Sequence, residues 1–205
     1  MSAVILTYRP FGNFDYSTVF IQSLSTGTTY PLEMHAGPNL VNMRPATLAV
    51  VPPGRYRLVH GAVYSGGSSA GMPLLEYWFE EFDVGAGETI DLGALVLEAI
   101  DVRSLAHARG LDALLRFGND NDTTTYVAYR IEPADTYVHD LMSTQYPTFT
   151  PNVIARPLRT TVTREEFESL ILESFAPDQN GTPPSTEAAR ARVGERIAAL
   201  FRQRK

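Results

Sequence analysis

The stretch Val50–Leu58, VVPPGRYRL, decides the fold. Pro53 presets the φ wanted at the second position of a tight turn, and Gly54 brings the freedom wanted at the third, so Pro53-Gly54 predicts a type II turn. Pro52 has no N–H for a β ladder, so the strand ahead of it, Ala46–Val51, must end or lie at an edge. Behind the turn, Tyr56 and Leu58 fall on one face of a strand, and Arg55, Arg57 and Val59 on the other. The pattern is a stiff corner between two extended runs.

Outward from this corner the signals stay β as far as about Val102. Ala3–Tyr8, Thr18–Leu24, Thr28–Met34, Ala46–Val51, Arg55–Tyr64, Leu75–Val84 and Glu88–Glu98 are rich in β-branched and aromatic residues. Turn-forming stretches separate them, among them SGGSSAGMP (65–73) and GAGE (85–88). Short strands at this spacing predict a mainly β chain, an antiparallel sandwich of about seven to nine strands. If Arg55–Tyr64 pairs with Leu75–Val84, facing residues have numbers summing to a constant. An even sum, 138 or 140, sets Tyr56 and Leu58 on the face of Trp78, Phe82 and Val84, and Arg55 and Arg57 beside Glu81 and Asp83. An odd sum would set apolar residues against charged ones on both faces, a slip that burial of one face forbids.

Beyond Arg103 the pattern mixes. Ser104–Phe117 reads either as a helix interrupted at Gly110 or as a loop and strand, Thr123–Ile131 as a strand, Pro133–Ser143 as a short helix and Val153–Leu158 as a strand. VTREEF opens the clearest helix: Thr163 is the N-cap, Glu166 completes a capping box, and Val162 with Phe167 forms the hydrophobic staple. Its inward face carries Phe167, Leu170, Ile171 and Phe175, and it stops before Pro177. The linker APDQNGTPPST follows, and then a basic amphipathic helix over about 186–204. The expected organisation is a β domain over 1–160 and a helical appendage over 161–205.

Composition removes several chemistries. There is no cysteine, so no disulfide, thiol nucleophile or thiolate metal site. Sixteen arginines stand against one lysine, Lys205, which leaves no lysine in the body for a Schiff base or a phosphate loop. Up to Pro184 there are 21 acidic and 11 basic residues, a net of −10, whereas the remaining residues carry 2 and 6, a net of +4. An acidic body argues against nucleic acid as partner. No run approaches the length of a membrane span, and the start has no signal-peptide pattern. The expected location is the periplasm or cell envelope where a leader has been removed, and the cytoplasm otherwise.

VVPPGRYRL followed by FDVGAGETIDLGAL resembles the PPGxY…V.AGe…LG arrangement of transthyretin-like modules, the small sandwiches of carboxypeptidase regulatory domains and of several bacterial envelope lipoprotein families. Pro52, Pro53, Gly54, Tyr56, Val84, Gly87, Glu88, Leu92 and Gly93 carry the resemblance, over about Thr47–Leu97. It implies a non-catalytic module, often at the cell envelope.

The motifs that could carry chemistry are few. Gly67–Gly71 fits the G-x-S-x-G nucleophile pattern with Ser69 as the serine, but that elbow needs a helix after it and the following LLEYWFEEFDV is strand-like. His35, His60, His107 and His139 show no ligand spacing, so no metal and no cofactor is assigned, and His60 reads as a cross-strand partner of Glu80 or Trp78. Asp120 and Asp122 in GNDNDTTT offer oxygen ligands for Ca²⁺ without the turn glycine or the distant glutamate of an EF-hand. Glu80 and Glu81, adjacent on a strand, point to opposite faces and cannot flank one substrate bond.

The last helix is the candidate interaction element. Val193, Ile197, Leu200 and Phe201 form its apolar stripe, and Arg190, Arg192 and Arg196 its basic flank. The stripe either docks within the chain or meets a partner protein, with an anionic membrane surface third. The functional expectation is a non-enzymatic structural or protein-interaction module, a component of a larger assembly. The alternatives are a carbohydrate- or small-ligand-binding sandwich using Tyr64, Tyr77 or Trp78, and a serine hydrolase at Ser69.

Overall fold

The computed structural model describes residues 2–9, 16–35, 46–65, 68–72, 74–111, 125–134, 140, 144, 147–148, 153–177, 179–182 and 184–204. The chain is mainly β and divides into two compact units, Met1–Leu97 with Tyr129–Thr160, and Glu98–Ala128 with Thr161–Lys205. The second unit therefore takes in the stretch Glu98–Ala128 as well as the C-terminal helices.

Ten strands run through the described residues: β1 (Ser2–Arg9), β2 (Tyr16–Ser23), β3 (Thr29–His35), β4 (Ala46–Val51), β5 (Gly54–Ser65), β6 (Ser68–Gly71), β7 (Phe82–Val84), β8 (Thr89–Asp101), β9 (Thr125–Glu132) and β10 (Val153–Ala155). One sheet has the order β10-β8-β1-β4 with β9 also on β8, and the other β3-β2-β5-β6 with β7 also on β5. Every pairing in the second sheet is antiparallel. The first is mixed, since β8 runs parallel to both β1 and β10. The expectation of antiparallel pairing throughout is corrected here. The first nine residues of β8 are all buried, so both of its faces are covered, as for a central strand in a parallel arrangement.

The proline corner carries the chain from β4 in the mixed sheet to β5 in the antiparallel one. It does so without the expected type II turn. Gly54 has φ 159°, far from the roughly +80° of that turn's third position, and already pairs with Val84 as the first residue of β5. The corner is held instead by Tyr56, whose hydroxyl donates to the Pro52 carbonyl at 2.6 Å. The Tyr56 ring is 1% exposed and lies edge-on to Tyr30 at 6.1 Å. Burial pushes its hydroxyl pKa up, and the neighbouring Tyr30 adds to the shift. Tyr56→Phe keeps the packing and removes one hydrogen bond, so it is expected to cost about 0.5–1.5 kcal/mol in urea unfolding. An unchanged midpoint would show that the latch contributes nothing.

The GAGE turn makes the return crossing, from β7 to β8. Glu88 Oε2 accepts from the Gly85 N–H at 2.8 Å, and Gly87 has φ 76°, the left-handed region glycine favours. The buried Ser2 hydroxyl donates to Gly85 O at 2.8 Å and accepts from the Gly87 N–H at 3.1 Å, tying the turn to β1. The residues that carry the transthyretin-like resemblance thus lie largely where the chain changes sheet.

The β5–β7 register has the even sum. Tyr56 faces Phe82, Arg55 faces Asp83 and Gly54 faces Val84, each pair summing to 138. Arg55 makes its ion pair with Glu81 at 3.0 Å, while Arg57 bonds Gln22 of β2 through Nη2 at 2.9 Å. Val59 is buried, not outward as simple alternation predicts. A register shift between Phe20 and Ile21 in the β2–β5 pairing adds a residue on β5 and turns its side chain inward.

Leu75–Val84 is not one strand. Leu75–Tyr77 form a 3₁₀ turn and only Phe82–Val84 join a sheet. Leu75, Trp78 and Phe79 are 1%, 0% and 2% exposed, and their i, i+3, i+4 spacing buries together on a helical turn, not on a strand. The preceding SGGSSAGMP contains β6, which pairs with β5 from Ser65↔Ser68 onward.

In the second unit, α1 (Val102–Ala108) is capped by Asp101, whose Oδ1 accepts from the Ser104 N–H at 2.7 Å. Next come α2 (Arg164–Ser174) and α3 (Thr186–Gln203), which pack against each other. The capping box is present: Thr163 Oγ1 accepts from Glu166 N–H at 3.2 Å, and Glu166 Oε2 from Thr163 N–H at 2.9 Å. Phe167, Leu170 and Ile171 are buried, Phe175 half-buried. The helix expected over Pro133–Ser143 and the Asp120–Asp122 loop lie largely or wholly outside the described residues.

Candidate functional site

The helix α3 starts at the N-cap Ser185, whose hydroxyl accepts from the Ala188 N–H at 3.2 Å. Ala189, Val193, Ile197 and Phe201 recur every four residues, and all four are buried. Leu200 is half-buried. Of the predicted stripe, Val193, Ile197 and Phe201 are therefore already covered within the folded chain. Each such side chain contributes about 1.5–3 kcal/mol by burial, so the helix is anchored by its apolar face. Arg190, Arg192 and Arg196 remain exposed, as does Arg202.

Ionic contacts hold the same helix at its edges. Arg196 pairs with Glu173 of α2 at 2.5 Å. Arg192 approaches the Ser174 carbonyl at 3.5 Å. Arg204, the C-cap, donates to the Thr161 carbonyl and to both carboxylate oxygens of Glu166, at 2.6 and 3.2 Å. The Arg204 guanidinium and then the Thr163 N–H hold the Glu166 carboxyl down at a pKa of about 2. Because the folded value lies below the unfolded one, this contact stabilises at pH above about 4.5 and is lost as pH falls toward 2. The pair is partly solvated, so its worth is about 1 kcal/mol or less. Glu166→Gln is expected to remove that much pH dependence from unfolding curves recorded between these limits. Equal slopes for both proteins would refute the linkage.

Beneath these charges sits Tyr126, edge-on to Phe167 at 6.0 Å and to Phe175 at 6.5 Å. Its buried hydroxyl has no hydrogen-bond partner among the described residues. Burial pushes it up to about 12, opposed in part by Arg190.

The first unit contains an open cleft of about 310 Å³ lined by Glu80, Glu81, Phe82, Asp83, Arg156, Pro157, Leu158 and Arg159. Two antiparallel segments form its walls, joined at one end by the Phe79↔Thr160 bridge and the Glu80 N–H to Arg159 carbonyl bond at 2.9 Å. At the other end Arg156 Nη1 donates to the Asp83 carbonyl at 2.6 Å, with Glu88 3.6 Å from Nη2. Pro157, on the wall facing Phe82, has no N–H to continue the pairing made at Phe79↔Thr160. Sequence reasoning missed this site because its walls, 80–83 and 156–159, are far apart in the chain; Pro157 within a strand-like run was its local trace.

The remaining candidates lie apart. Ser69 belongs to strand β6, opposite Tyr64, not to a strand-to-helix elbow. His60 stacks on Phe20 with ring centroids 4.4 Å apart, so its partner is Phe20 and not Glu80 or Trp78. Trp78 is fully buried, with its indole N–H donating to the Tyr129 carbonyl at 2.5 Å, so it forms no exposed aromatic platform. Among the described residues no group of three or more His, Asp or Glu side chains is placed to hold a metal ion. Among the described residues, no helix is long and apolar enough to cross a membrane.

No protein-family model and no curated protein matches this chain. Among solved structures it is similar to a leucine-rich repeat protein from Bacteroides thetaiotaomicron, at 15% identity, a TM-score of 0.31, and coverage of 45% of this chain and 13% of that one. A likeness this slight carries no argument about fold or function.

Proposed function

We propose that this protein is a non-enzymatic protein-interaction module, a two-sheet sandwich of transthyretin-like kind bearing a helical unit whose α3 offers a cationic face. The observation that carries the reading is the division of labour on α3. Val193, Ile197 and Phe201 of its apolar stripe are buried, and Arg196 and Arg204 are engaged with Glu173 and Glu166. Arg190 and Arg202 stay exposed with no ion pair to a carboxylate among the described residues. An anchored helix presents such charges at little further entropic cost, which favours recognition of an acidic protein surface. The sandwich reading rests on the two crossings at Pro52–Gly54 and Gly85–Glu88, where the resembling residues lie.

Charge reversal tests this better than deletion, because removing α3 would uncover the groups its stripe covers. Full-length wild type and the Arg190→Glu/Arg202→Glu variant are compared in native pull-downs from the source organism, with thermal unfolding as a folding control. The expected result is a set of co-purifying proteins that the equally stable variant loses. Identical sets from both proteins, or no specific set from either, would sink the reading.

A further inference from the structure

We propose that the cleft between Phe79–Asp83 and Arg156–Thr160 binds a small zwitterionic molecule, a free amino acid or a short peptide. Its ammonium group meets the acidic wall, its carboxylate meets Arg159, and its apolar body lies over Phe82 and Leu158. Three features of the cleft lead there, and none depends on the reading of α3.

The cleft is closed at both ends and floored by apolar groups. The backbone bond between residues 80 and 159 shuts one end and the Arg156 side chain the other, while Phe82 and Leu158 are 6% and 7% exposed. Its volume of about 310 Å³ suits a small molecule.

The charges are segregated and only partly answered among the described residues. Glu80, Glu81 and Asp83 line one wall, and Arg156 and Arg159 the other. Arg55 takes Glu81, and Arg156 is committed to the Asp83 carbonyl and to Glu88. Glu80, Asp83 and Arg159 are exposed, and their side chains make no hydrogen bond or ion pair with any described residue. A ligand of one sign would leave the opposite wall unanswered, whereas a zwitterion satisfies both.

The walls also resist the commonest competitor, an added β-strand. Pro157 has no N–H to extend a ladder, and Arg156 already occupies the Asp83 carbonyl on the facing segment. Recognition there falls to side chains.

The test is a titration of the full-length protein followed by amide NMR shifts, with L-leucine and L-leucyl-L-leucine as probes. Saturable shifts confined to residues 79–83 and 156–160 are expected, with a dissociation constant on the order of 1 mM for so small and open a site. Leucine binding identifies an amino-acid site, and binding of the dipeptide alone a peptide site. Amidating the probe's carboxylate is expected to weaken binding about 2- to 5-fold in the wild type and not in Arg159→Gln. N-acetylation should do the same in the wild type and not in Glu80→Gln/Asp83→Asn. These three side chains are exposed, so the variants are expected to fold, which their amide spectra check. The proposal is overturned if neither probe gives saturable local shifts at about tenfold above that concentration. It is equally overturned if blocking either end of the probe changes nothing.

Discussion

Gly93→Ala is expected to lower the unfolding free energy by about 2–5 kcal/mol, combining left-handed backbone strain with overpacking. Gly93 has φ 90°, and a Cβ built on it would stand 2.6 Å from the Glu132 carbonyl oxygen and 2.7 Å from Ile131 Cγ2. The closest obstacle is backbone, which cannot swing aside as a flexible side chain would. The site is also a register break: Ile5 faces Asp91 and Thr7 faces Ala94, so β8 carries an extra residue here. Asp91 Oδ1 stabilises the break by accepting from the Gly93 N–H at 2.8 Å. Urea unfolding of wild type and variant measures the effect. A variant within 0.5 kcal/mol of wild type, on the order of a neutral surface substitution, would mean that the bulge yields without strain.

The second large effect is expected at Trp78, the single tryptophan of the chain. It is 0% exposed, sits edge-on to Tyr129 at 5.2 Å and donates its indole N–H to the Tyr129 carbonyl. Trp78→Ala removes a large buried ring and is expected to cost about 3–5 kcal/mol. Trp78→Phe keeps most of the ring but deprives that carbonyl of the indole N–H, at about 1–3 kcal/mol. Unfolding curves rank the variants, with alanine the worse. The fluorescence of the wild type offers an independent check: emission should be blue-shifted, shielded from iodide, and move to the red on unfolding. Red emission with ready quenching in the native state would mean that the indole is exposed.

Some of this was legible in the residues themselves. The capping box at Thr163 and Glu166 is a local exchange of two hydrogen bonds over four residues, and it forms as its letters predict. The even β5–β7 register follows from polarity alone, because a one-residue slip would bury Arg55 and expose Tyr56. Trp78, Phe82 and Val84 are buried because large apolar groups leave water wherever the backbone puts them. The last helix showed its stripe by spacing, although spacing could not say what would cover it.

Other features needed the tertiary structure. Pro53-Gly54 has the composition of a type II turn, yet the pull of β7 on Gly54 and the Tyr56 latch on Pro52 set an extended glycine there instead. Leu75–Val84 reads as one strand from its aromatic and β-branched content, whereas the structure makes Leu75–Tyr77 a 3₁₀ turn and sets Trp78 against the Tyr129 carbonyl. The parallel pairing of β8 with β1 joins residues 86 or 87 apart, and no local pattern encodes a neighbour at that distance. The cleft likewise exists only where Phe79–Asp83 and Arg156–Thr160 come together. What the sequence determined by itself is polarity, caps and breaks, which act within a few residues. Which strands become neighbours, where a bulge falls and which charges are left unanswered were decided by long-range packing, because those energies arise only once distant segments meet.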